Sequence, residues 1–264
     1  METVLFTAKC PVVADEQKWI DGTMARFVER FGTSWLGSPV ILPTAEFFPG
    51  AYTGTQEDMR RAVVTVCGFM GVDASRIFVK FPTAISRDAG AAGHWTRVAG
   101  SSRMTPTTTS DTYTRSDAPS SYRKIGRSAR ISLNPALGQH PLLLLATIAR
   151  ELAYDRLLTG KGRTVSRDYS QSVAELLTVF LGFGVITANA AFEYSHTSTE
   201  EDRLRAEWSA SRLGLLTEPM YGYALARYAM MRGEPRPDWA RFVDSNPRAY
   251  MRKGVRFLKR LERS

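Results

Sequence analysis

Residues 142–159 read LLLLATIARELAYDRLLT. The stretch opens on four leucines and carries the small residues Ala146, Thr147, Ala149 and Ala153 through its middle. That Leu-rich start, the small residues in the middle and the flanks predict a buried helix. Inside it stand Arg150, Glu151 and Tyr154. Their spacing is that of a catalytic helix motif, so this is where a site is expected. The rest of the chain is read outward from it.

The segment Arg150-Glu151-Leu152-Ala153-Tyr154 has the frame of the zinc-peptidase helix H-E-x-x-H with neither histidine present. In that motif two imidazoles four residues apart share a helix face and bind zinc, and the Glu serves as general base toward the metal-bound water. Arginine keeps its proton at ordinary pH and repels a dication. Tyrosine binds metal only as a phenolate, with a reference pKa of about 10. No metal and no cofactor are therefore expected at this frame.

The chain has 264 residues, of which 44% are hydrophobic, enough for one large or two small domains. Its net charge of +9 comes from 35 Lys and Arg against 26 Asp and Glu. Such a balance permits attraction to polyanions, but no nucleic-acid motif accompanies it, and an Arg-rich soluble protein is expected. Two cysteines, Cys10 and Cys67, are too few for a disulfide framework. The N-terminus has no basic segment followed by a long apolar one, so no signal peptide is read. The most apolar run, Leu176–Phe192, is interrupted by Gly182, Gly184, Thr187 and Asn189. It predicts a core helix, or two short ones, rather than a membrane span. A cytoplasmic protein is expected. P-loop, G-x-G-x-x-G and C-x-x-C patterns are absent, and His94, His140 and His196 stand in no nucleophile-elbow context.

The fold class expected is α+β: a mainly helical single domain over 1–264 with a small N-terminal β-sheet. Helical spacing predicts helices over Ala14–Phe31 and Thr55–Met70, the second opened by a hydroxyl cap and early acids. Further helices are expected over Ser170–Phe183, Val185–Phe192 and Thr217–Arg232, with a short one at Asp238–Val243 and a last one from Asn246. Strands are expected at Val40–Leu42, Arg76–Phe81 and Ile125–Leu133. Residues 86–124, rich in Gly, Ser and Thr, read as a flexible insertion with a short hairpin near Trp95–Val98. Polar sequence at Lys161–Asp168 reads as a loop, and Tyr194–Trp208 as a charged linker or helix. One face of the last helix carries Arg248, Arg252, Lys253, Arg256, Lys259, Arg260 and Arg263, a pattern that usually marks a solvated face.

The flanks of the central motif, Ala146-Thr147-Ile148-Ala149 before it and Asp155–Gly160 after it, resemble the A-T-x-A-H-E-L-A-H-x-x-L-L-G helix of a bacterial zincin-like family. Further stretches resemble the same family: Cys10-Pro11-Val12 with Trp19, Val40–Tyr52, Val66–Val72, Glu175–Ala190 and Met220–Ala226. The resemblance covers most of the chain outside 86–124. Intact members look like single-domain metallopeptidases whose acidic third-ligand region falls just before L-L-T-V-F. Here that region is Asp168–Glu175. Glu175 matches its last acidic position, and the earlier one is Gln171 or Ser170. The chain is thus similar to a degenerate member in which both histidines have changed.

The resemblance implies a vestigial site of Arg150, Glu151, Tyr154 and Glu175. Arg150 is expected to pair with Glu151 or Glu175, with Tyr154 adding its hydroxyl. The function read from this is a catalytically inactive pseudopeptidase that acts by binding a protein partner. One alternative is a hydrolase with an altered metal site, using Glu151 as general base and Glu175 with a histidine from elsewhere. Another is a basic, nucleic-acid-associated protein.

Overall fold

A computed structural model describes residues 9–48, 50–82, 120–159, 167–196 and 216–263. Helix α1 spans Ala14–Phe31 and buries Ile20, Met24 and Phe27 along one side. Helix α2 spans Gln56–Phe69. Its start is fixed by a capping box: the Asp58 amide donates to Thr55 Oγ1 at 3.2 Å, and the Asp58 carboxylate accepts from the Thr55 amide at 3.2 Å.

Strand β1 (Ile77–Lys80) follows, then β2 (Ser120–Ile125) and β3 (Ser128–Leu133). Among the described residues they form a three-stranded sheet in the order β1-β3-β2, with β1 parallel and β2 antiparallel to β3. The register puts Ser120, Tyr122 and Lys124 beside Leu133, Ile131 and Ala129, on the inward face. Two of the expected strands, and the end of the expected insertion, differ from the structure. Ile125–Leu133 is not one strand but the end of β2, a turn at Gly126 with φ 57°, and β3. Ser120–Lys124, read as the tail of the insertion, is strand. Val40–Leu42 joins no sheet among the described residues; the Ile41 amide donates instead to the Gly182 carbonyl at 2.9 Å. The sheet is therefore built from the middle of the chain, not its N-terminus. The expected hairpin at Trp95–Val98 lies outside the described residues.

Helix α3, Pro141–Leu158, is the central stretch. Pro141 at its first turn suits a position whose amide has no helical partner. It packs against α2, β2, α4 (Arg167–Thr178) and α5 (Gly184–His196). Between α4 and α5 the chain passes through a π-type turn, Val179–Phe183, in which Gly182 has φ 89°. Helices α6 (Glu218–Met231) and α7 (Ser245–Leu261) pack closely on each other. Thr217 caps α6, its hydroxyl accepting from the Met220 amide at 3.4 Å.

Residues Gln171–Ala191 are apolar enough to cross a membrane by length and composition, but 94% of that window is buried inside the protein. Gly182 interrupts the helix within it. Its apolarity is accounted for by the chain's own core, where Leu176, Leu177, Phe180, Phe183 and Ile186 are fully buried. Cys10 and Cys67 are both free thiols.

Candidate functional site: two polar faces of one helix

Residues one apart on a helix diverge, while residues three or four apart share a face. On α3, Arg150 lines a cavity together with Thr147, while Glu151 and Asp155 look toward β2.

On the first face a cavity of about 20 Å³ is lined by Thr147, Arg150, Glu175, Thr187, Ala190 and Tyr221, among others. Helix α4 brings Glu175 against α3, with 3.8 Å between Arg150 Nη1 and Glu175 Oε1. The other carboxylate oxygen, Oε2, accepts the Leu216 amide at 3.0 Å. The Arg150 side chain is 15% exposed and that of Glu175 is 4% exposed, so both charges are largely withdrawn from water. Burial, and then the Glu175 charge, push the Tyr221 phenol well above its ordinary pKa; Arg150 and a hydrogen bond with Thr187 act the other way without reversing it. Thr178 donates to Thr187 Oγ1 at 3.1 Å, and Thr187 donates to the Phe183 carbonyl at 3.2 Å. The hydroxyl of buried Thr147 has no hydrogen-bond partner among the described residues.

The second face meets the sheet. Asp155 is fully buried. Its Oδ1 accepts from Arg76 Nη1 at 3.1 Å, from the Tyr122 hydroxyl at 2.6 Å and from Lys124 Nζ at 3.3 Å. Its Oδ2 pairs with Arg76 Nη2. Burial alone pushes this carboxyl up, but the hydrogen bonds from Arg76 and Tyr122 and the charges of Arg76 and Lys124 outweigh it and hold the carboxyl below its usual range. Burial raises the Tyr122 phenol, and donation to Asp155 raises it further. Glu151 Oε1 accepts the Ser120 hydroxyl. The Tyr154 ring stands edge-on to Tyr122, with centroids 5.2 Å apart and planes at 84°. One residue on from Asp155, Arg156 stacks on Trp35 and Phe31 at 4.5 and 4.9 Å and donates to the Met70 carbonyl, tying the end of α3 to α1 and α2.

Of the four residues singled out from the sequence, Arg150 and Glu175 come together. Glu151 and Tyr154 lie toward the sheet, engaged with Ser120 and Tyr122. The Asp155 cluster escaped sequence reasoning. Its signal was the alternation Ser120-x-Tyr122-x-Lys124, which puts two hydroxyls and a cation on one strand face, with Arg76 directly before β1.

A zinc centre needs imidazole, thiolate or carboxylate donors converging at about 2.0–2.3 Å. Among the described residues no group of three or more His, Cys, Asp or Glu side chains converges in that way. At the two positions of the motif's histidines stand a permanent cation and a phenol packed on another aromatic ring. The residues present do not fit the ion. What the arrangement supplies chemically is an interior pairing of fixed charges. No family model matches the chain, and neither a characterised protein nor a solved structure matches it.

Proposed function

We propose that this chain is a zincin-like pseudopeptidase that acts through binding a protein partner rather than through hydrolysis. The reading is supported above all by the Arg150–Glu175 pair, in which a guanidinium carried by the protein occupies the motif's first ligand position and faces the acid expected to be a third ligand. A guanidinium there repels a dication, and the carboxylate is engaged with it and with the Leu216 amide. Glu151, the general base of the motif, is hydrogen-bonded to Ser120, and neither ligand position flanking it carries an imidazole that could hold a metal-bound water. A scaffold of this kind retains its surface and loses its chemistry.

The full chain, purified without added metal, is expected to carry no stoichiometric zinc. It is expected to leave a denatured protein substrate uncleaved with or without added zinc, and to keep its melting temperature in a chelator. One metal ion per chain, with cleavage that the chelator abolishes, would overturn the proposal in favour of a hydrolase built on Glu151 and Glu175.

A further inference from the structure

Helix α7 divides its surface sharply. Met251, Val255 and Leu258 are buried, and the helix lies so close to α6 that a Cβ on Gly222 would meet Tyr250 Cβ at 2.3 Å. That seam fixes the other side outward on a rigid rod. Arg252, Lys253, Arg256, Arg260 and Arg263 are exposed there. Arg252, Arg256 and Arg260 follow one another at four-residue spacing and make a row about 12 Å long at 1.5 Å per residue, and Arg263 lies in the turn just past the helix end. Among the described residues no carboxylate makes an ion pair with Arg252, Arg256 or Arg263. Between Arg232 and Arg263, ten basic residues against four acids place +6 of the chain's +9 in this one region.

We propose that this face of α7 docks on the phosphate backbone of double-stranded nucleic acid without reading its sequence. A duplex presents one negative charge per about 1.7 Å of its axis. A straight row of cations on a rigid helix complements such a regular array. Guanidinium forks fit phosphate oxygens in pairs. Two other polyanionic surfaces fit less well. The apolar side of α7 is committed to α6, so the helix has no face left to sink into a bilayer. The row also carries no exposed aromatic ring on which an unpaired base would stack. This inference is independent of the Arg150 site and stands or falls without it.

The test is fluorescence anisotropy of the full chain with a short, mixed-sequence DNA duplex across a salt series. With about four phosphates neutralised, affinity is expected to fall about 10²-fold between roughly 50 and 200 mM salt. In R252Q/R256Q/R260Q/R263Q the salt slope should flatten by about 0.9 for each phosphate no longer neutralised. Far-UV dichroism and melting temperature should stay unchanged, because these side chains are exposed. The pair R252Q/R256Q should give roughly half the change in slope. Failure of the wild-type chain to bind the duplex at low salt would overturn the proposal, as would an unchanged slope in the four-site variant. Tighter binding to phosphatidylserine vesicles than to the duplex would replace it with a membrane-surface role.

Discussion

The Arg150 guanidinium and the Glu175 carboxylate stand 3.8 Å apart in a largely buried setting, where each alone would be a costly charge. A second buried carboxylate, Asp155, is held by two cations and a phenol. Replacing Asp155 with Asn leaves Arg76 and Lys124 facing each other across a neutral amide. That variant is expected to lose about 3–5 kcal/mol at neutral pH, the range for breaking a buried ion pair, as read by urea unfolding. The pH dependence has a definite sign. The folded carboxyl titrates below its ordinary value, while the unfolded one titrates near about 3.9. As pH falls, the unfolded chain takes up the proton first. The cluster's contribution is therefore complete above about pH 3.9 and is lost as pH drops through the lower folded value. The gap between wild type and Asp155→Asn should narrow over that acid window. A gap that stays constant down through it would mean that Asp155 is not the group being held ionised.

At the scale of elements, α3 is organised by what flanks it. Its neighbour α4–α5 bends at Gly182, whose φ of 89° lies in the left-handed region. A Cβ there would meet the Pro39 carbonyl at 2.8 Å. Gly182→Ala is therefore expected to destabilise by about 2 kcal/mol or more, combining left-handed strain with a backbone clash; a thermal shift within error of wild type would show that the bend is not required. The same glycine explains one misread strand. Val40–Leu42 is a short apolar run, which periodicity cannot assign, and its pairing partner is a carbonyl freed by a helix break some 140 residues later. Ser120–Lys124 was misread for a different reason. A half-buried strand normally turns apolar residues inward, whereas this one turns Ser120, Tyr122 and Lys124 inward to serve charges on α3. The bounds of α1 and α2 were legible because the apolar spacing of both and the Thr55 cap of α2 are local properties, and α3 was legible from its apolar run opened by Pro141. Val40–Leu42 depended on a partner far along the chain, and the β2–β3 hairpin on a turn at Gly126 that reads as strand.

At the scale of the whole molecule, α3 separates two polar interiors that its sequence runs together. The sequence carried Arg150 and Glu175 as members of one site through a family resemblance, and the pair does meet. Adjacent residues are about 100° apart on a helix, so Arg150 faces Glu175 and not Glu151, which was the other partner expected. The sequence did not mark Asp155, whose partners lie on β2 and before β1. Charge is likewise uneven along the chain: most of the excess over the acids falls between Arg232 and Arg263. The molecule thus combines a core in which ionised groups are matched inside the protein with a helix face where cations lie exposed.

The pairing of Arg150 with Glu175 is tested most directly by a double-mutant cycle on the full chain, with Arg150→Met, Glu175→Met and the double variant unfolded in urea. Each single substitution should cost about 3 kcal/mol or more by leaving a buried charge unmatched. The double variant should cost less than their sum by at least about 1 kcal/mol, because it removes both charges together. Additivity within about 0.5 kcal/mol, the behaviour of independent sites, would contradict a protein-borne cation matched to that acid.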